Sequence, residues 1–140
     1  MKKAWMACVL SLCFLTGIMI SGCEAAEGGG GTRGKDWDYT VVPTADCPEE
    51  FLKEIDEKKI NAFQMTYDDG EYLYLAVGYG EQEKGGFSIQ ALGLYELGEA
   101  LCLETSLSGP EEDEVVSSKP SYPYLVIKTQ KTEKQVIFDS

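Results

Sequence analysis

AFQMTYDDGEYLYLAV, residues 62–77, decides the fold class. Apolar side chains recur at every second position through Phe63, Met65 and Tyr67, stop at Asp68-Asp69-Gly70, and resume from Tyr72. Period-two alternation sends successive side chains to opposite faces of a strand, and an Asp-Gly step favours a tight hairpin turn. The stretch therefore predicts two antiparallel strands. Further strands are expected at 87–97, 101–107, 124–129 and 135–138. In the first of these, apolar parity passes from Ile89 and Ala91 to Leu92 and Leu94 beside Gly93, which predicts a bulge or bend. Upstream, Trp37, Tyr39 and Val41 alternate with Asp38 and Thr40, the pattern of a half-buried strand ending at Pro43.

A helix is expected next. Asp46 stands as its cap, Pro48 suits its first turn, Glu49 follows the cap by three residues, and Phe51, Leu52 and Ile55 form a narrow apolar face. Lys58 and Lys59 sit where the helix dipole favours cations. So short a helix persists only with a sheet to cover. The expected fold is α+β: a mainly antiparallel β-sheet, sandwich or open barrel-like, with one packed N-terminal helix. If strand direction alternates along the chain, links alternate between the two ends of the sheet. The short links at 68–70, 98–99 and 130–133 then share one end, and the long links at 79–86 and 108–121 share the other. Binding residues concentrate on long loops held by a rigid scaffold.

The N-terminus carries Lys2 and Lys3, an apolar run over 4–20, and Ile20-Ser21-Gly22-Cys23. This reads as a lipoprotein signal, in which the Cys23 thiol takes a diacylglyceryl group before cleavage exposes its amine. An uncleaved apolar anchor would also span a bilayer, but has no need for Ser-Gly-Cys at its outer edge. Residues 1–22 are expected as signal peptide, 23–36 as a glycine-rich tether, and 37–140 as one domain. The expected location is the cell membrane, lipid-anchored on its extracytoplasmic side.

The formal charge of −12 makes nucleic acid and anionic lipid head groups poor partners. The chain has no histidine, which removes Ser-His-Asp and Cys-His catalysis and nearly all catalytic zinc sites. Cys8 and Cys13 leave with the signal, and Cys47 and Cys102 remain. They either close a disulfide or stand as two buried thiols; their spacing fits neither a redox motif nor a zinc ribbon. Glu111-Glu112-Asp113-Glu114 reads as a solvated acidic loop, without EF-hand spacing. In the glycine-rich run at 78–86, position 83 is Glu, so a phosphate cradle of the GxGxxG type fails. A non-enzyme with no catalytic residue, no metal ligand and no cofactor is expected.

Tyr122-Pro123-Tyr124 places two rings around a proline whose peptide bond is either cis or extended trans. With Tyr79 and Phe87 near the same end, these rings either line an exposed protein-contact patch or belong to the core and edge strands.

Val77-Gly78-Tyr79-Gly80-Glu81-Gln82-Glu83-Lys84-Gly85-Gly86-Phe87-Ser88-Ile89, then Ser108-Gly109-Pro110, then Ser121-Tyr122-Pro123-Tyr124-Leu125-Val126-Ile127-Lys128 resemble the protease complex subunit PrcB family. The likeness runs from about Cys47 to the C-terminus. Where the family pattern reads Thr-Gly-Gly-Tyr, this chain has Lys84-Gly85-Gly86-Phe87, without the two hydroxyls. The resemblance implies a lipoprotein subunit that accompanies a surface protease without supplying catalysis. The 81–87 loop is also similar to the glycine-aromatic loop of chagasin-type cysteine protease inhibitors. The expected function is thus a lipid-anchored, non-catalytic accessory subunit that holds or stabilises a protease or another envelope protein; the alternative is an inhibitor that inserts the 81–87 loop into a cleft. The expected contact residues are Tyr79, Glu81, Gln82, Lys84, Gly85, Gly86, Phe87, Tyr122 and Tyr124.

Overall fold

The computed structural model describes residues 32–140. The expected signal peptide, the expected lipidation site Cys23 and most of the expected tether lie outside the described residues. Strand β1 is Arg33–Asp36, β2 Thr40–Val41, β3 Ala62–Asp68 and β4 Tyr72–Tyr79. Strands β5 Ser88–Leu97, β6 Ala100–Ser108, β7 Tyr124–Gln130 and β8 Gln135–Asp139 follow. They form two four-stranded sheets, ordered β1-β5-β6-β8 and β2-β7-β4-β3. Helix α1, Glu49–Lys58, packs on the outer face of the second sheet.

This layering explains why β4 is buried continuously from Leu73 to Gly78. Tyr74 and Ala76 meet Phe51, Ile55, Val42 and Val126 on the helix side. Leu73 and Leu75 meet Leu94, Leu101, Leu103 and Ile127 between the sheets. Phe51 and Ile55 lie four residues apart, hence on one helix face, and both are fully buried. Two hydroxyls lie in this interior with partners: Thr129 Oγ1 donates to the Asp38 carbonyl at 2.8 Å, and Thr105 Oγ1 meets the Tyr79 hydroxyl at 2.9 Å.

The expected α+β class, the hairpin and the bulge all stand. β3 and β4 pair in unbroken register from Ala62↔Tyr79 to Asp68↔Leu73, and β5 shifts register against β6 between Ala91 and Gly93. Leu92 is the outward-turned residue of that bulge, half exposed. Three expectations change. Asp46 does not cap the helix; it closes a short 3-10 turn, Thr44–Asp46, and Pro48 occupies the cap with its carbonyl accepting from the Leu52 amide at 3.0 Å. Of the expected strand from Trp37, only β2, Thr40–Val41, forms and pairs with β7, while β1 precedes Trp37 and pairs with β5 in the other sheet. The chain crosses between sheets in the intervening segment, where the Trp37 amide donates to the Leu94 carbonyl at 2.8 Å and the Val42 amide to Val126 at 2.8 Å. Val41 therefore faces solvent and Val42 the helix core. β1 also lies inside the segment expected as tether, so paired strands begin before Trp37.

The disulfide left open by the sequence is not formed: Cys47 and Cys102 are both free and buried. Cys47 packs on the helix side of the second sheet, whereas Cys102 on β6 belongs to the first. Packed sheets lie roughly 10 Å apart, beyond the Cα separation a disulfide bridges. Burial first, and the Asp46 charge second, push the Cys47 thiol up and away from the reactive thiolate. On β6's other side, the bond to Cys102 and burial hold the Tyr95 hydroxyl protonated, with its pKa pushed up to about 12. A thiol reagent should leave both cysteines unlabelled in the native chain and label both in urea, as read by peptide mass mapping; native labelling of either would contradict this packing. The peptide bond before Pro123 is trans, since no cis bond is present among the described residues.

The hairpin turn carries a pH dependence of its own. Asp68 Oδ1 accepts from the Gly70 amide at 2.7 Å, and Asp69 Oδ1 accepts from the Glu71 and Tyr72 amides at 2.8 and 2.7 Å. The Tyr72 and Glu71 amides hold the Asp69 carboxyl below its usual range. A lowered folded pKa contributes stability in full above the unfolded value, near about 3.9, and loses it as pH falls through the folded one. Asp69→Asn keeps an acceptor but not the charge. The gap between its urea midpoints at about pH 7 and about pH 3 should be narrower than in the parent chain.

Candidate functional site

The two long links meet at one end of the sandwich. Gly78 of β4 opposes Tyr124 of β7, and Ser88 of β5 opposes Ser108 of β6. The loops leaving these strands are therefore neighbours. They are also bonded along their length. Gln82 and Ser121 form an antiparallel bridge, with the Gln82 amide donating to the Ser121 carbonyl at 2.8 Å and the reverse bond at 3.0 Å. The Gly85 amide donates to the Ser117 carbonyl at 2.8 Å, and Ser121 Oγ donates to the Lys84 carbonyl at 2.7 Å. Gln82 Nε2 turns back to the Tyr79 carbonyl at 3.3 Å. The helix end joins the same assembly through the Glu81 amide, which donates to the Ile60 carbonyl at 3.0 Å.

Gly86 closes the far side of this junction. Its φ is +88°, and a Cβ there would stand 2.6 Å from Val116 Cγ1 and 2.8 Å from Pro110 Cβ. Only glycine satisfies both the backbone and the contact. Phe87 lies half-buried beneath Gly109.

The expected contact residues divide by role. Gln82, Gly85, Gly86 and Phe87 build the junction. Tyr79 reaches between the sheets to Thr105, and Tyr124 turns to the helix side, where its hydroxyl meets Thr44 Oγ1 at 3.2 Å. These two rings are scaffold, whereas the Tyr122 ring is half-buried, with Lys59 Nζ 5.9 Å from its centroid. Glu81 and Lys84 are exposed. The structure adds Ile60 and Val115, large apolar residues 57% and 97% exposed at this same end. Ile60 sits five residues past Ile55, off the apolar helix face, and Val115 follows the four acids of 111–114. Those breaks in phase were the available signals. Among the described residues, no three His, Cys, Asp or Glu side chains converge to hold a metal ion.

The geometry defines a β-sandwich protein whose two long loops form one hydrogen-bonded surface, in which apolar tips stand among exposed charges. The family model described as PrcB C-terminal matches residues 73–130, from β4 to the end of β7, so this stretch is similar to the PrcB family. That stretch contains both loops and the bridge between them. No curated protein and no solved structure matches the chain. The family points to an accessory subunit associated with a protease complex.

Proposed function

We propose that the chain is a lipid-anchored, non-catalytic subunit that engages an envelope protease through the joined-loop end, on the extracytoplasmic side of the membrane. The observation that carries this reading is the Gln82–Ser121 bridge. It spends two main-chain hydrogen bonds on holding the two longest loops as one surface, a form of preorganisation that lowers the ordering cost of binding. The anchor follows from the sequence at Cys23.

The test is purification of the tagged chain from detergent-solubilised membranes, with mass spectrometry of Cys23 and of co-isolated proteins. A diacylated Cys23 and a stoichiometric protease that is lost on Val115→Asp would support the proposal. A Cys23→Ser chain that stays in the membrane fraction would remove the anchor, and an unpartnered monomer in crosslinked cells would remove the subunit role. Inhibition of the co-isolated protease that disappears when the 81–87 loop is shortened would favour the inhibitor reading instead. Against that reading stand the bonds to Ser117 and Ser121, which tie the loop to the neighbouring one.

A further inference from the structure

The four sheet edges of this domain are not equally protected. β1 is four residues long, carries Arg33, Lys35 and Asp36, and breaks register against β5. β2 has two residues and runs into Pro43. β8 has five, follows Lys134 and ends in the acidic Asp139. Shortness, charge, irregularity and proline are the devices that keep edges from pairing with other chains. β3 has none of them along Ala62–Thr66. It is a seven-residue strand in unshifted register, and its only charged residue is Asp68 at the turn.

Its free hydrogen-bonding groups can be assigned. The Asp69 amide donates to the Tyr72 carbonyl at 3.2 Å, and antiparallel pairs alternate between bonded and non-bonded. Phe63, Met65 and Tyr67 thus bond to β4, while Ala62, Gln64, Thr66 and Asp68 direct their amides and carbonyls outward. All four are exposed. At the start of the strand a cavity of about 300 Å³ is lined by Ala62, Phe63, Gln64, Gly78, Tyr79 and Ser140.

We infer that the β3 edge is a second binding surface, which accepts an extended, basic segment of a protein partner as an added antiparallel strand, with one side chain of that segment entering the cavity beside Gly78. Strand addition draws affinity from main-chain bonds and specificity from pockets for alternate side chains; both components are present here. Charge selects the occupant. Helix α1, which lies over β3, carries five acids against two lysines. The Glu50 carboxylate accepts from the Tyr67 hydroxyl at 3.3 Å, and Asp69 and Glu71 flank the turn, where Asp68 is paired with Lys131 Nζ at 3.5 Å. A second copy of this chain would bring one such acidic helix towards another. A basic strand meets the opposite field.

The experiment uses the full chain in detergent micelles and two end-blocked seven-residue probes, one alternating Val with Lys and one alternating Val with Glu. Anisotropy reads binding, and amide hydrogen exchange reads its place. The basic probe is expected to saturate and to slow exchange at Ala62, Gln64, Thr66 and Asp68 by at least about tenfold, a shift of about 1.4 kcal/mol. Thr66→Pro removes one outward amide without touching the β4 ladder, and should abolish that protection. Thr66→Val keeps the amide and should retain it. Binding that survives Thr66→Pro, or equal affinity for the acidic probe, would overturn the inference by reducing it to non-specific attraction. Concentration-dependent protection of the same amides without any probe would replace the partner with a second copy.

Discussion

Phe51→Ala is expected to lower the unfolding free energy by about 3–5 kcal/mol, a large share of the roughly 5–15 kcal/mol that holds a domain together. Phe51 is fully buried. Its ring stacks on Tyr67 with centroids 5.2 Å apart and meets Tyr74 edge-on at 6.2 Å, and Tyr67 and Tyr74 are themselves 6.3 Å apart. These contacts fasten α1 to two adjacent strands. A ten-residue helix is marginal by itself in water, so loss of the ring removes both packing and the reason for the helix to persist. Urea titration followed by far-ultraviolet circular dichroism measures the loss. Leu52→Ala, at a half-buried neighbour, should cost clearly less. Equal losses at 51 and 52, or a loss at 51 below about 1 kcal/mol, would mean that the helix does not dock through this face.

The helix and its apolar face were legible because Phe51 and Ile55 repeat at helical spacing within a polar stretch. The hairpin was legible because its turn chemistry is local, and the irregularity at Gly93 because a change of parity within one strand requires a bulge or a bend. Sheet membership was not. Alternation gives each strand a direction but no neighbour. β6 and β8 run the same way because β7 lies between them in sequence, and they then pair in parallel, Ala100↔Gln135 to Glu104↔Asp139. Nothing local to 135–139 says that this strand leaves the sheet of β7 to join β6. The same limit hid the crossing at Trp37–Val42, where a single alternating run serves two sheets in turn.

At the candidate site, the two long links share one end of the sandwich, as strand alternation implies, but the sequence left open which rings there belong to the scaffold and which stand exposed. Tyrosine is read as a contact residue because it is amphipathic, yet Tyr79 and Tyr124 spend their hydroxyls on Thr105 and Thr44. Their rings stiffen the bases of the two loops. Ile60 and Val115, with no polar group to satisfy, are left in solvent. Which aromatic faces outward is decided by partners distant in sequence, 26 residues for Tyr79 and 80 for Tyr124, and no local pattern carries that information.

The rigidity of the joined loops can be separated from backbone strain by comparing two glycines. Gly86 and Gly98 both have positive φ, +88° and +64°, but a Cβ at Gly98 would meet nothing within 4 Å. Alanine at either position should cost about 1–2 kcal/mol from the left-handed backbone. At Gly86 the wall of Pro110 and Val116 should add about 1–3 kcal/mol, because a proline ring and a half-buried valine have little room to move. Gly86→Ala should also speed hydrogen exchange at the Gln82, Gly85 and Ser121 amides, which cross the junction, while Leu75 and Leu103 in the core stay protected. That pattern would show a surface held together by the contact at Gly86 and able to open without unfolding the sandwich. If Gly86→Ala and Gly98→Ala cost the same and the junction amides keep their protection, the wall yields to a methyl group. The two loops would then owe their alignment to the Gln82–Ser121 bonds alone.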